Sequence, residues 1–364
     1  MIWIRWYLLL AVGLLQIHAV ANAEPYLAVR SGLKCMACHT NPTGGGKRNE
    51  YGNIYAQQTL AAPGKNESGT GEPWTGSINR YLALGADFRG EFSVTDVPGA
   101  PDVSSEFIYE ESLVYLQLQP LPGRLSLYVD HKLGPGNART REAYGLLSLD
   151  GNKVYVKAGR FFLPFGFRLE DDDSFVRSLS AINYNTPDDG IELGYESGVW
   201  SAQLAQTNGA GGGAENNNEK RTSLNASYNP SGWRLGASFN SNETLTGERE
   251  MTAVYGGLRT GSVSWLFEYD LIKDMSGSGE VEQQVGLIEA NTLLAQGSNL
   301  KLTYEILKPD SDLNEEDRNR ISLIWEYFPV RYLQLNLGVR SHDGPESLPE
   351  SNREQAFAQL HMFF

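Results

Sequence analysis

Cysteine is nearly absent, with only Cys35 and Cys38 in 364 residues, and histidine is scarce, occurring at positions 18, 39, 131, 342 and 361. With so little material a Ser-His-Asp triad or a multi-histidine metal centre lacks its parts. A disulfide between cysteines two residues apart would close too small a loop to staple a domain. Past residue 23 no apolar run of 18 residues occurs, so no transmembrane helix is expected there. Positive charge is also short: leaving out Arg5, 29 Lys and Arg stand against 44 Asp and Glu, a formal charge of −15. Such a balance attracts cations and disfavours phosphate as a substrate, and no nucleic acid is expected as a partner.

What is present begins with MIWIRWYLLLAVGLLQIHAVANA. Arg5, the apolar run after it and the small-x-small end Ala21-Asn22-Ala23 read as a Sec signal peptide over residues 1–23, cleaved on export. The exported chain then opens near Glu24 and soon reaches Cys35-Met36-Ala37-Cys38-His39. Zinc would need four ligands, and residues 24–74 offer no third cysteine and no second histidine. A thioredoxin-type pair would open a helix after a strand in a βαβ unit, and no such pattern follows. The immediate His39 decides for c-type attachment: the thiols of Cys35 and Cys38 bond one haem c and His39 binds its iron. Gly44-Gly45-Gly46-Lys47 has neither the spacing nor the Ser or Thr of a phosphate loop, and reads as a turn beside the porphyrin. No catalytic side chain is expected otherwise, since the haem carries the chemistry. Met36 lies on the same side as His39, so the far side of the iron is open, or held by Lys47, Tyr51, Tyr55 or a barrel residue, for which His361 is the candidate.

Residues 24–76 form the haem-binding unit, ending in a Gly- and Pro-rich linker from 61 to 76. Beyond it apolar and polar residues alternate, as in Leu300-Lys301-Leu302-Thr303-Tyr304-Glu305-Ile306 and Trp233-Arg234-Leu235-Gly236-Ala237-Ser238-Phe239. One face is apolar and aromatic, and the other carries Lys, Arg, Glu and Asn. A soluble sandwich could not bury that second face, but a barrel lumen accepts it. Sixteen segments follow, near 77–95, 105–119, 124–134, 140–149, 153–165, 189–196, 199–207, 219–229, 232–243, 248–259, 262–273, 280–295, 299–308, 317–328, 331–341 and 353–364. Short turns such as Asp150-Gly151-Asn152 and Ser197-Gly198 alternate with long polar loops such as 208–218, 274–279, 309–316 and 342–352, the asymmetry of outer-membrane barrels. The fold expected for residues 77–364 is therefore all-β, a 16-stranded transmembrane outer-membrane β-barrel, preceded by a small N-terminal monohaem cytochrome c domain. Alternation turns Glu192, Glu196, Glu305 and Glu326 into the lumen, and along the last strand Phe357, Gln359, His361 and Phe363 as well. His131 points outward, and His342 belongs to an external loop. Glu170-Asp171-Asp172-Asp173, in the loop after strand five, is either a cation site or a solvated acidic loop paired with Arg139, Arg141, Arg168 or Arg177.

Arg30-Ser31-Gly32, Cys35, Cys38, His39, Pro42 and Tyr51-Gly52, followed by a barrel of this size, resemble the fused monohaem cytochrome–porins, a group that includes outer-membrane ferrous iron oxidases. Gly159-Arg160-Phe161-Phe162-Leu163-Pro164-Phe165-Gly166 departs from that group and is similar to a strand end of phosphate-selective porins. The resemblance implies a protein of the outer membrane, in contact with its lipid, that passes electrons from a small extracellular donor such as Fe(II) to a periplasmic cytochrome. It would do so as an Fe(II)-oxidising oxidoreductase or as a non-catalytic carrier. The alternative is a solute-diffusion porin with the haem unit as plug or gate. A single haem cannot span a membrane, so in either case the unit is expected inside the lumen or at its periplasmic mouth.

Overall fold

The structure, a computed structural model, describes residues 19–20, 24–64, 72–171, 173–182, 186–215, 217–245, 247–277, 279–313 and 316–364. The expected signal peptide thus lies outside the described residues except at 19–20, as do Asp172 and the middle of the linker.

Among the described residues sixteen strands form the barrel: β1 (Leu82–Asp96), β2 (Ser104–Leu121), β3 (Leu125–Gly134), β4 (Arg139–Leu149), β5 (Val154–Phe161), β6 (Asp188–Ser197), β7 (Trp200–Thr207) and β8 (Arg221–Tyr228) make the first half. The second half is β9 (Trp233–Thr244), β10 (Gly247–Thr260), β11 (Val263–Ser276), β12 (Gly279–Gln296), β13 (Ser298–Lys308), β14 (Arg318–Val330), β15 (Leu333–Asp343) and β16 (Glu354–Phe363). Each strand pairs antiparallel with its neighbours in the chain, and β16 closes on β1 from Glu354 opposite Asp96 to Phe363 opposite Asp87. Closure leaves no unpaired edge, so every ladder N–H and C=O is satisfied without water, which is what spanning lipid requires.

The two-residue alternation sorts the side chains as expected. Ile191 and Leu193 are 58% and 51% exposed on the outer face, while Glu192 between them is fully buried. Leu235, Leu258, Trp265, Leu302, Ile321 and Leu337 extend the apolar exterior, the face a bilayer covers. Glu196, Glu305 and Glu326 are buried in the lumen, as are Phe357, His361 and Phe363.

Four local expectations are corrected. The first barrel strand starts at Leu82, because Ser77–Asn79 turns back and pairs with it rather than continuing it. The fifth strand stops at Phe161, short of 165, where Pro164 removes a ladder donor and the chain turns inward. The stretch 274–279 is no long loop: β11 runs to Ser276 and β12 begins at Gly279, so the strands reach beyond the band that about ten residues cross. His342 likewise lies within β15 and pairs with Arg320 of β14.

The lumen is filled from both ends. From the side of the short turns enter α1 (Pro25–Ser31), a 3-10 turn at Cys35–Ala37, and α2 (Glu50–Tyr55), continued by a wider turn at Ala56–Leu60. From the other side the connection 162–187 folds in and carries α3 (Phe175–Ser180). Tyr26, Leu27, Val29, Ala56 and Leu60 of the N-terminal segment, Phe167, Leu169 and Val176 of the inward loop, and Tyr255, Leu266, Val285 and Phe328 of the barrel form one apolar cluster. The segment expected as a small cytochrome c unit lies inside the lumen and shares its core with the barrel, because its short helices expose too much apolar surface to close a core alone.

Candidate functional site

The plug is fixed by polar contacts around the circumference of the barrel. Tyr26 Oη donates to Glu326 Oε2 at 2.9 Å, and Lys301 Nζ reaches Glu24 Oε1 at 2.6 Å. Arg30 donates to Asn299 Oδ1 at 3.1 Å and to the carbonyl of Asn291 at 3.2 Å. On the opposite wall Lys34 pairs with Glu196 at 2.7 Å, Asn41 Nδ2 donates to Glu142 at 3.0 Å, and the N–H of Lys47 donates to Tyr128 Oη at 3.0 Å. Glu196 and Glu326, placed in the lumen by alternation, are thus two of the groups that hold the plug. Glu192 pairs instead with Lys157 at 2.9 Å, and Glu305 with Arg320.

Local sequence shapes the motif. Gly32 ends α1 in the left-handed conformation that favours glycine, with φ 68°. Asn49 caps α2, accepting from the N–H of Gly52 at 2.9 Å, while its Nδ2 donates to the carbonyls of Met36 and Ala37 at 3.1 Å each. One side chain therefore ties the Cys-x-x-Cys-His turn to the next helix. Gly52 must be glycine, because a Cβ there would stand 2.1 Å from the carbonyl oxygen of Cys38. Gly44, Gly45 and Gly46 have φ of 92°, 72° and 61°, a left-handed run that returns the chain so that His39 and Arg48 pair across it.

Cys35 and Cys38 are free thiols, and both line one cavity with His39, Gly44, Gly45 and Arg48. The cavity comprises about 1010 Å³ of atom-free space, part of it open to solvent. Its walls come from all three parts of the molecule: Leu27, Leu33, Tyr55, Ala56 and Leu60 from the plug, Phe167 and Arg168 from the inward loop, and Gln203, Asn225, Arg234 and Tyr255 from the barrel. Nδ1 of His39 is buried without a hydrogen-bond partner among the described residues. Burial and then the Arg48 guanidinium push its pKa down to about 3, against the backbone of Gly46 and Gly45, whose hydrogen bonds raise it. Burial raises the Cys38 thiol to about 11, leaving it protonated. Two free thiols, a buried imidazole and a cavity with apolar walls make a donor set that fits a covalently attached haem.

The other candidates fall differently. His361 is 2% exposed, with Nε2 2.8 Å from Asp87 and Nδ1 2.7 Å from Gln334 and 3.1 Å from Glu170. It borders a smaller cavity shared with His39 and Arg48, yet both its nitrogens face oxygens, so it is an ion-paired lumen residue rather than a ligand aimed at iron. His131 lies next to buried Asp130 and contacts Thr140 at 3.2 Å, off the site. Lys47 Nζ donates to the carbonyl of Arg48 at 2.9 Å, and of the far-side candidates Tyr55 borders the main cavity.

The described part of the acidic run after β5 is paired rather than a free acidic loop, with Asp173 still exposed. It folds inward, where Asp171 meets Arg320 at 2.8 Å and Arg340 at 3.0 Å, Asp173 meets Arg340 at 3.0 Å, and Glu170 meets His361. The arginines expected as partners are used elsewhere: Arg141 pairs with Asp130 at 2.7 Å and with Glu111 at 2.6 Å, and Arg168 donates to the carbonyls of Gly44 and Phe162. Among the described residues no group of three or more His, Cys, Asp and Glu is arranged to hold a metal. Arg234, unnoticed in the sequence, is the strongest residue missed, and only its place as an inward position of an alternating strand marks it.

No family model and no curated protein matches the chain. Solved structures do match in fold. An anion-selective porin from Comamonas acidovorans superposes with a TM-score of 0.63 at 11% identity, over 78% of this chain and 99% of that one. OmpT of Vibrio cholerae gives 0.60 at 11% identity over 79% and 99%, and Salmonella typhi OmpF, solved with daunomycin, gives 0.58 at 13% over 78% and 97%. The fold is that of the outer-membrane porins. Their overlap with this chain corresponds to the share that the barrel itself occupies.

Proposed function

We propose that this chain is an outer-membrane barrel carrying one haem c on Cys35, Cys38 and His39 within its lumen, and that it passes single electrons across the membrane. A small extracellular donor such as Fe(II) would supply them, and a periplasmic cytochrome would accept them. The observation that carries the reading is the convergence of both free thiols and the buried His39 imidazole on one cavity at the junction of plug, loop and barrel. Bound there, a haem supplies a one-electron couple. The chain's own part is to hold the group by two thioethers and one imidazole, to orient it through the Asn49 clamp, and to wall it with apolar side chains that limit water.

A second reading, a solute-diffusion porin with the plug as gate, is favoured by the likeness to solved porins, one of them described as anion-selective. In its support the plug is held by side-chain contacts, which can release, and not by a ladder. Proteoliposomes enclosing an oxidised cytochrome separate the two. If electrons pass, external Fe(II) reduces the enclosed cytochrome while sugars of disaccharide size stay outside. If solutes pass and the cytochrome stays oxidised even with haem on the barrel, the porin reading replaces the conduit. Removing residues 24–76 should raise single-channel conductance under either reading, and equal conductance would refute the plug.

A further inference from the structure

The cavity of the two thiols is short of negative charge. It is lined by four cations, Lys34, Arg48, Arg168 and Arg234, against one carboxylate, Glu24, in a chain whose formal charge is −14. Lys34 is neutralised by Glu196 and Glu24 by Lys301, and Arg168 spends its donors on the carbonyls of Gly44 and Phe162. Arg48 and Arg234 remain. Nε of each is buried without a hydrogen-bond partner among the described residues, and the carboxylates that reach them act from a distance, Asp87 on Arg48 across the smaller neighbouring cavity and Glu196 on Arg234. Arg234 is 8% exposed, projecting from β9 into the lumen. Aromatic rings set the two groups in place: the Arg48 guanidinium lies 4.3 Å from the ring centre of Phe363, and that of Arg234 lies 5.7 Å from Phe167. A guanidinium with a buried, unpartnered N–H is costly, and a cavity lined by two of them favours anionic groups.

Building on the haem reading, we propose that Arg48 of the plug and Arg234 of the barrel are the counter-ions of the two haem propionates, so that the barrel wall as well as the plug grips the cofactor. Guanidinium is suited to this because its fork of N–H donors matches a carboxylate in two parallel hydrogen bonds. It follows that the plug and barrel are tied together through the haem. It follows too that Arg234, a residue without contact to the attachment motif, tunes the iron: a fixed positive charge near the haem disfavours the ferric form, which carries one more positive charge than the ferrous.

The test uses the full-length protein loaded with haem. An alkaline pyridine spectrum of the wild type first shows whether thioether-linked haem is present; its absence defeats both the proposed function and this inference. With haem present, Arg234→Gln is expected to lower the midpoint potential and to shift the resonance Raman band of propionate bending, whose frequency follows hydrogen bonding to the carboxylates. Arg234→Lys, which keeps the charge, should stay nearer the wild-type potential. Wild-type potential and an unmoved propionate band in Arg234→Gln would overturn the inference and leave the haem reading standing. If that variant fails to assemble, Arg48→Gln, outside the barrel ladder, is read by the same two measurements with the same expected directions, and an unchanged result there overturns it equally.

Discussion

Two segments enter the same lumen, and they differ in how their charges end. The inward loop brings Glu170, Asp171 and Asp173 onto His361, Arg320 and Arg340, so each of these acids meets a partner. The plug does the same at its rim, with Glu24 on Lys301 and Lys34 on Glu196. Around its thiols it does not: Arg48 of the plug and Arg234 of the barrel line a cavity where Nε of each is buried without a hydrogen-bond partner among the described residues. The loop's acids are closed off by protein partners, whereas the centre of the plug leaves buried N–H groups unanswered among the described residues.

The sharpest way to break this comparison is to remove the ligand's anchors. Replacing Cys35 and Cys38 together by serine should abolish covalent haem entirely, seen as loss of haem staining on a denaturing gel. The barrel should still assemble, because its ladder involves neither residue. Next in size is Arg320→Met. It leaves Glu305 and Asp171 without their shared cation in the lumen, and breaking a buried pair from one side costs about 3–5 kcal/mol. Denaturant midpoints should fall accordingly, and loop 162–187 should become open to protease. An unchanged midpoint would show that the loop is not held by its charges. Smaller is Tyr26→Phe, which removes one hydrogen bond to a carboxylate, worth about 1.5–3 kcal/mol. Its effect should appear as faster protease cleavage within 24–62 while the barrel midpoint stays unchanged. Smallest is Arg234→Gln in the haem-free protein. Removing an unpaired cation should leave stability unchanged or slightly raised, opposite in sign to Arg320→Met. A clear loss of stability would mean that Arg234 already has a partner and that the contrast between the two regions is false.

The barrel was legible because its signal is repeated: Trp233 to Phe239 and Leu300 to Ile306 state the same alternation that the outer and inner faces obey. It failed where local chemistry imitates another state. Phe161-Phe162-Leu163-Pro164-Phe165 is apolar enough to read as more strand, yet Phe162, Leu163 and Phe165 are buried inside the barrel because the lumen holds an apolar core of its own. The stretch 274–279 is polar and glycine-rich enough to read as loop, yet hydrogen-bonded strand needs no apolar face once it rises out of lipid. The Cys-x-x-Cys-His run stood out because five consecutive residues carry it, and the structure sets its cysteines and histidine on one cavity. Its surroundings were not, since Arg234 and Arg320 occupy equivalent inward positions and differ only in what three-dimensional packing sets opposite them.

The central claim is that the lumen of this barrel holds one haem bonded to Cys35 and Cys38. It is tested most directly by purifying the protein from outer membranes, extracting with acid acetone to strip any unbonded haem, and measuring the alkaline pyridine spectrum against protein concentration. One thioether-type haem per chain, retained through the extraction, is the result predicted. A colourless protein, from cells that load other c-type cytochromes normally, would contradict it.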